Sequence, residues 1–201
     1  MIKNIIFDFG DIFINLDKQL FAKELGNLGI SQVDKKWIPV LNNYEMGLIT
    51  TDEFLTYFEE KLSISKETLK TAWNSILLDF PEKRLRFIQQ LSEEKKYRLF
   101  LLSNTNDMHI SWIQNNWGEA LYTQFKNCFE QFYLTHEINL RKPNTNIYEF
   151  VLKENNLNAE ETLFIDDTKE NTDAAKSLGI QVWNLIPGKE DVIDLKTKNL
   201  L

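Results

Sequence analysis

The chain alternates between two hydrophobic patterns, one typical of buried strands and one typical of helices. Short runs of apolar and β-branched residues that end abruptly in polar residues predict strands of a parallel sheet. Segments with apolar residues about every 3.6 positions separate these runs and predict helices. Five strands alternating with helices indicate an α/β fold with a doubly wound parallel sheet and a site at its carboxyl edge. The predicted strands cover residues 5–7, 97–102, 129–134, 162–165 and 180–183.

The segment after the first strand carries a long helical pattern. About sixty residues of helix are far more than a crossover between two parallel strands requires. We therefore predict a helical subdomain at residues 17–79, inserted into an α/β core domain at residues 1–16 and 80–201. Apolar spacing and capping residues predict four helices there, beginning near Leu20, at Ser31, at Thr51 or Asp52, and at Ser65.

Composition and charge narrow the classes of partner. The 201-residue chain has a formal net charge of −7, and an acidic surface repels polyanions, so a nucleic-acid partner is not expected. No apolar stretch reaches membrane-spanning length and the amino end resembles no secretory leader, so we expect a cytoplasmic protein without a membrane partner. The single cysteine, Cys128, lies in an apolar run and is interpreted as a buried, unreactive thiol.

Polar residues with related chemistry follow the predicted strands. The carboxyl ends of parallel strands meet at one edge of a sheet, so these residues are expected to lie together. Neighbouring carboxylates repel each other and require a cation, and Mg²⁺ prefers such oxygen ligands. A lysine, a serine hydroxyl and an asparagine amide add donors suited to a phosphate dianion. The residues concerned are Asp8, Ser103, Asn104, Lys142, Asp166 and Asp167, with Asn171 beyond them.

Asp8 also fits the role of a nucleophile. Its carboxylate could attack phosphorus and form an aspartyl-phosphate that water later hydrolyses, while Lys142 stabilises charge in the transition state. Each residue has a plainer explanation as well. Asp8 with Gly10 could only form a turn, Ser103 and Asp166 could cap helices, and Lys142 could be a surface lysine. The coincidence of these residues at successive strand ends favours a shared site.

Four segments, taken in order, resemble the motifs of a known family. Residues 6–10, 101–105, 140–143 and 164–171 are similar to the four motifs of the haloacid dehalogenase-like (HAD) hydrolase superfamily. Within it, the chain resembles bacterial phosphatases with a small helical cap, of the α-D-glucose-1-phosphate phosphatase kind, and residues 44–54 are similar to a turn within that cap. The resemblance implies a Rossmann-like core with strand order 5-4-1-2-3 and an inserted helical cap.

The resemblance also implies a role for each motif residue. Asp8 would be the nucleophile and, with the backbone carbonyl of Gly10, a ligand of Mg²⁺. Ser103 would bind the phosphoryl group with Asn104 beside it, and Lys142 would orient phosphate and nucleophile. The further positions are Asp167 as the main metal ligand of its motif, Asp166 as a further or water-mediated ligand, and Asn171 as a supporting residue. Apart from the motifs, Tyr44, Glu45 and Met46 could contact the substrate if the cap closes over the site, or could form a plain turn at the end of a helix.

Gly10 departs from the pattern of many phosphatases in the superfamily. That position commonly carries an acid that protonates the leaving alkoxide, and glycine can offer only its carbonyl. Asp11 lies one residue further and is not assigned this role. The glycine predicts better catalysis with leaving groups that need little protonation, such as anomeric sugar, enol, acyl or aryl phosphates. Asn139 stands where relatives often have glycine, and we expect it to keep the turn because asparagine tolerates a left-handed conformation.

The sequence therefore predicts a Mg²⁺-dependent phosphomonoester hydrolase that acts on a small phosphorylated metabolite, such as a sugar 1-phosphate, through an aspartyl-phosphate on Asp8. The first alternative is a catalytically weak phosphometabolite-binding or regulatory protein. The second is a 2-haloacid dehalogenase, against which Asp166 and Asp167 argue because that reaction has no use for a metal cluster. We expect a monomer or weak homodimer. His109 and His136 are expected to be solvent-facing or capping residues, with His136 nearer the site.

Overall fold

A five-stranded parallel sheet lies at the centre of the computed structural model, which describes residues 1–30 and 34–201. Its strand order is β3-β2-β1-β4-β5, which confirms the predicted order and the doubly wound α/β class. The predicted helix start at Ser31 lies outside the described residues. The strands are β1 (Asn4–Phe7), β2 (Arg98–Ser103), β3 (Gln131–Leu134), β4 (Thr162–Asp166) and β5 (Gln181–Asn184).

Helices cover both faces of the sheet and form the segment after β1. Short 3₁₀ helices cover Lys35–Trp37, Ala159–Glu161 and Val192–Thr197. The α-helices are α1 (Leu20–Asn27), α2 (Ile38–Glu45), α3 (Thr51–Leu62), α4 (Lys66–Asn74), α5 (Glu82–Glu93), α6 (Asp107–Trp117), α7 (Glu119–Lys126), α8 (Thr135–Ile138), α9 (Thr145–Glu154) and α10 (Lys169–Ser177).

Successive side chains of β1 point to opposite faces of the sheet and pack into two separate apolar cores. Ile5 and Phe7 belong to the core on one face of the sheet, whereas Ile6 belongs to the core on the other. Ile6 pairs with Phe100 of β2 and Phe164 of β4, so the strand is hydrogen-bonded on both sides. A run that is apolar at every position suits a strand buried on both faces. Because β1 is the central strand, Asp8, which follows Phe7, lies at the middle of the carboxyl edge of the sheet.

The helices α1 to α4 pack around a third apolar cluster. Tyr44, Phe54 and Trp73 stack or meet edge to face at its centre. Two linkers connect these helices to the sheet and pair with each other through an antiparallel bridge between Leu16 and Leu77. The predicted starts of α3 and α4 are confirmed, because hydroxyl caps precede both helices. The subdomain boundaries at residues 17 and 79 stay a prediction.

The structure corrects the expectation for His109. His109 is only 8% exposed and its ring stacks on Trp73, so the prediction that it faces solvent is wrong. Stacking on the Trp73 indole favours the burial of the His109 imidazole, and His109 Nε2 hydrogen-bonds to the backbone carbonyl of Trp73. His136 is partly buried and lies in the short helix α8, directly after β3. Cys128 is buried as predicted, and burial raises its thiol pKa to about 11.

Candidate active site

Two neighbouring strands bring three carboxylates together at the carboxyl edge. Phe7 pairs with Ile165, so Asp8 directly follows β1 beside Asp166, the last residue of β4. The Asp8 amide continues the ladder by donating to the Ile165 carbonyl at 2.8 Å. Oxygen atoms of Asp8, Asp166 and Asp167, one from each, all lie within 4.8 Å of one another. The backbone pairing of β1 and β4 therefore builds the acidic cluster.

Lys142 holds two of these carboxylates from inside the protein. Its side chain is 1% exposed, and its ammonium nitrogen lies 2.7 Å from Asp8 Oδ1 and 2.7 Å from Asp166 Oδ2. It also donates to the carbonyl of Leu102 at 2.8 Å. The Asn104 side chain fixes the backbone on both sides, because its Oδ1 accepts from the Lys142 amide and its Nδ2 donates to the Lys142 carbonyl. The structure thus places Asn104 as a support for Lys142.

Asp166 is fully buried and its carboxylate is held in one orientation. Asn171 Nδ2 lies 3.1 Å from both of its oxygens. The amide of Thr168 adds a donor to Oδ1 at 2.8 Å. A carboxylate that accepts this many hydrogen bonds keeps a fixed geometry and stays a good ligand. Ser103, at the end of β2, is also buried and lines the cavity described below.

The electrostatics of the cluster favour binding of a divalent cation. Burial raises the pKa of Asp8 to about 7; Lys142 opposes this shift, while Asp166 and Asp167 add to it. Burial lowers the pKa of Lys142, but Asp166 and Asp8 outweigh burial, so its net shift is upward. With all three carboxylates ionised, they and the buried Lys142 ammonium sum to a charge of −2, which the more exposed Lys18 ammonium beside Asp167 offsets in part. Hard oxygen ligands with this charge fit Mg²⁺, in agreement with the predicted cofactor.

A cavity of about 240 Å³ opens beside this cluster. Gly10, Lys18, Ser103 and Asn104 line its polar side, and Glu45 of the helical segment lies at its margin. Thr105, Asn106 and His109 also contribute to the lining, and the apolar side consists of Phe9, Ile14, Leu16, Ile76, Leu77 and Ile113. A larger groove of about 350 Å³ lies along α4 near Trp112, but it contains none of the predicted site residues. The smaller cavity is therefore the candidate substrate site.

The turn between α2 and α3 docks on the segment that precedes Lys142. Arg141 Nε lies 2.6 Å from Glu45 Oε2, and Asn139 Nδ2 donates to the Met46 carbonyl at 2.7 Å. Asn139 has a φ of 57°, which confirms that asparagine takes the left-handed conformation at this turn. The sequence placed both Glu45 and Arg141 near the site but did not predict that they form an ion pair. These contacts fix the Glu45 carboxylate at the cavity margin.

Lys18 is the site residue that the sequence did not predict. Its ammonium lies 2.6 Å from Asp167 Oδ2 and 3.0 Å from Asp11 Oδ2. Asp11 itself has a φ of 57° and accepts a hydrogen bond from the Leu16 amide. No local motif marks Lys18, because the contact with Asp167 joins residues 149 positions apart. Only the folded linker reveals that this lysine reaches the acidic cluster.

Three features together are typical of one class of hydrolases. They are the Rossmann-like parallel sheet, the three carboxylates with a buried lysine at its carboxyl edge, and the helical segment inserted after β1. A family model of the haloacid dehalogenase-like hydrolases matches residues 5–185. The chain belongs to this family, and the predicted resemblance is confirmed.

Relatives of known function or structure share nearly the whole length. D-ribitol-5-phosphate phosphatase of Bacteroides thetaiotaomicron is 27% identical over 190 residues, which is 91% of each chain. A HAD family enzyme of the same organism, solved with magnesium and inorganic phosphate, is 32% identical with a TM-score of 0.80 over 94% of this chain and 97% of that chain. A Porphyromonas gingivalis protein, described as a predicted HAD-like family hydrolase, is 26% identical with a TM-score of 0.85, covering 100% and 98%.

Among residues 1–30 and 34–201, no helix is both long enough and apolar enough to cross a membrane. The cytoplasmic location and the monomer or weak homodimer stay predictions.

Proposed function

We propose that the protein is a Mg²⁺-dependent phosphomonoester hydrolase that works through an aspartyl-phosphate on Asp8. The observation that carries this proposal is the Lys142 ammonium, buried between Asp8 Oδ1 and Asp166 Oδ2 at 2.7 Å from each. A buried cation in this position orients one carboxylate oxygen of Asp8 and leaves the other available for attack. The magnesium and phosphate complex of the related enzyme supports the same chemistry.

Each site residue has a distinct part in the proposed reaction. Asp8 forms the bond to phosphorus while the bond from phosphorus to the leaving oxygen breaks, and water then hydrolyses the aspartyl-phosphate. Ser103 donates to a phosphoryl oxygen, and Lys142 stabilises charge on the transferring group. Mg²⁺, held by Asp8, Asp166 and Asp167 with the Gly10 carbonyl, supplies charge neutralisation when bound.

The cavity indicates a small, hydroxylated leaving group, and we propose a polyol or sugar phosphate as the substrate. A volume of about 240 Å³ fits a short polyol or a single sugar better than a nucleotide. Glu45, fixed by Arg141 at the margin, can accept hydrogen bonds from hydroxyl groups and repels a second carboxylate. The ribitol phosphate activity of the curated relative is consistent with this class. The sugar 1-phosphate predicted from the sequence belongs to the same class.

A screen of phosphorylated metabolites with and without Mg²⁺ tests this function. The set includes p-nitrophenyl phosphate, ribitol 5-phosphate and glucose 1-phosphate, and the matched control is Asp8→Asn. We expect Mg²⁺-dependent release of phosphate by the wild-type protein and none by the variant, whose melting temperature should stay near that of the wild type. Tight binding of these esters without turnover would support the regulatory alternative instead.

The dehalogenase alternative is tested by chloride release from 2-chloropropionate. The acidic cluster has no use in displacing a halide, and Glu45 repels a carboxylate substrate. We therefore expect no chloride release with or without Mg²⁺. Chloride release that Asp8→Asn abolishes would replace the phosphatase assignment.

A further inference from the structure

Lys18 connects the acidic cluster with the cavity. It lies in the linker that enters α1, and its ammonium contacts Asp167 and Asp11 while its side chain lines the cavity beside Gly10 and Ser103. The side chain is 54% exposed, so the ammonium can exchange one partner for a ligand in the cavity. Lys18 is thus placed to touch a substrate as well as the carboxylates.

The reaction lacks an obvious group to stabilise the leaving oxygen. Gly10 has no side chain, and a Cβ there would lie 2.7 Å from Leu16 Cδ1, so an acid at this position requires Leu16 to move. Glu45 lines the cavity but is paired with Arg141. An alkoxide leaving group of a sugar or polyol phosphate needs a donor or a positive charge nearby.

The histidine that lines the cavity does not fill this gap. His109 is buried, its Nε2 bonds to the Trp73 carbonyl at 3.2 Å, and its Nδ1 faces the Asn106 amide at 3.2 Å. Both ring nitrogens are therefore engaged in the contact between α4 and α6. Among the described residues that line this cavity, Lys18 carries the one cationic side chain.

We propose that Lys18 is a catalytic residue that donates a hydrogen bond to the leaving-group oxygen. This role rests on the proposed phosphatase function. As Asp8 bonds to phosphorus, the electron pair of the breaking bond passes to the leaving oxygen, and the Lys18 ammonium stabilises that developing charge. The oxygen then takes its proton from water, so Lys18 remains an ammonium throughout.

Asp11 acts in this proposal as a positioning residue for Lys18. Its Oδ1 accepts from the Leu16 amide at 3.1 Å, which leaves Oδ2 directed to the lysine. Charge-assisted bonds to two carboxylates restrict a flexible lysine to a narrow range of positions. The linker that supplies Lys18 also carries Leu16, which occupies the space where an acid at Gly10 would begin. The same segment therefore packs against Gly10, which has no donor side chain, and provides a donor in Lys18.

A leaving-group series with Lys18→Met and Lys18→Arg tests the role. The substrates are p-nitrophenyl phosphate, phenyl phosphate and ribitol 5-phosphate, whose leaving oxygens need increasing stabilisation. We expect Lys18→Met to lower kcat/KM for ribitol 5-phosphate about 100-fold and for p-nitrophenyl phosphate less than about 5-fold. Lys18→Arg should retain most of the activity. Lys23→Met, an exposed lysine of α1, is the control and should match the wild type on every ester.

Two results would overturn the role of Lys18 alone. The first is an equal loss on all three esters; the second is a Mg²⁺ affinity, measured by calorimetry, that falls in Lys18→Met as much as kcat/KM does. Either result would mean that Lys18 acts through Asp167. Absence of turnover by the wild-type protein on every ester would instead overturn the proposed function, and the role with it.

Discussion

Lys142 compensates the negative charges of the two buried carboxylates at the site. It neutralises part of the repulsion between Asp8 and Asp166, two carboxylates that are 8% and 0% exposed. Removing one partner of a buried ion pair leaves the other charges without compensation in a poorly solvated place. Lys142 therefore contributes to the stability of the fold, apart from the role proposed for it in catalysis.

We expect Lys142→Met to lower the free energy of unfolding by about 3–5 kcal/mol at pH 7. Lys3→Met is the matched control, because its pair with Glu161 is largely exposed and should contribute about 0–1 kcal/mol. Urea denaturation of both variants without Mg²⁺ measures the difference. Equal, small losses would show that Lys142 does not compensate the buried carboxylates.

The sequence predicted the residues that lie at strand ends and missed those that reach the site from elsewhere. Asp8 and Asp166 follow apolar runs, so their placement at one edge follows from the parallel sheet alone. Asn104 was predicted to lie beside the phosphoryl group, but its amide bonds to the Lys142 backbone. Lys18 carried no local signal, because its position depends on how the linker folds back over Asp167.

At the scale of elements, the turn between α2 and α3 sets the contact between the helical segment and the sheet. Gly47 in this turn has a φ of 65°, and a Cβ there would lie 2.0 Å from the His136 carbonyl oxygen. The helices can approach α8 this closely only because the side chain is absent. The turn also presents Glu45 to the cavity.

We expect Gly47→Ala to lower the free energy of unfolding by about 1–3 kcal/mol, because of backbone strain and the clash with His136. It should also raise KM for ribitol 5-phosphate more than it lowers kcat, since the change displaces Glu45 rather than Asp8. Gly26→Ala in α1 is the control: nothing lies within 4 Å of its Cβ, and alanine favours a helix. Similar effects of the two substitutions would contradict this view of the turn.

His109 makes the contact between α4 and α6 sensitive to acid. Burial lowers its pKa to about 4, whereas an unfolded chain titrates near 6.5. As the pH falls below 6.5, the unfolded chain binds a proton that the folded protein resists, so stability is lost until the pH reaches about 4. The loss amounts to about 3 kcal/mol for this single group.

We expect His109→Gln to remove this part of the pH dependence. The free energy of unfolding from urea titrations, compared between pH 7 and pH 4.5, should fall by about 2–3 kcal/mol more in the wild type than in the variant. The test compares how much the free energy of unfolding falls between these two pH values in each protein, so the two proteins need not be equally stable at pH 7. Parallel curves would show that His109 is protonated without cost in the folded state.

Element-level predictions were accurate where caps and apolar runs mark the boundaries. The hydroxyl caps Thr50 and Ser65 locate the starts of α3 and α4, and the strand order followed from the family resemblance. The burial of His109 was missed because it depends on Trp73 of another helix, 36 residues away. The packing of one helix against another depends on contacts between residues that are far apart in the sequence, and hydrophobic periodicity does not predict such contacts.

At the scale of the whole molecule, the chain has a net charge of −7, and the fold brings three of its carboxylates together at the carboxyl edge of the sheet. A cation bound there relieves repulsion that exists only in the folded state, because the unfolded chain separates the carboxylates. Ligands that bind only the folded protein raise its stability in proportion to the logarithm of their concentration. Metal binding and global stability are therefore coupled.

We expect Mg²⁺ at about 100 times its dissociation constant to add about 2.7 kcal/mol to the free energy of unfolding, and EDTA to reverse the gain. Asp167→Asn should lose most of the shift, whereas Asp173→Asn, an exposed residue of α10, should keep it. Thermal unfolding with and without Mg²⁺ measures both. A shift of equal size in the two variants would place the metal outside the cluster.

The formation of an aspartyl-phosphate on Asp8 is the central claim, and rapid acid quench followed by peptide mass spectrometry tests it most directly. Wild-type protein turning over p-nitrophenyl phosphate with Mg²⁺ should show a phosphoryl group on the peptide that contains Asp8, and Asp8→Asn should show neither the adduct nor turnover. A phosphoryl group on another residue, or continued turnover by Asp8→Asn, would contradict the account.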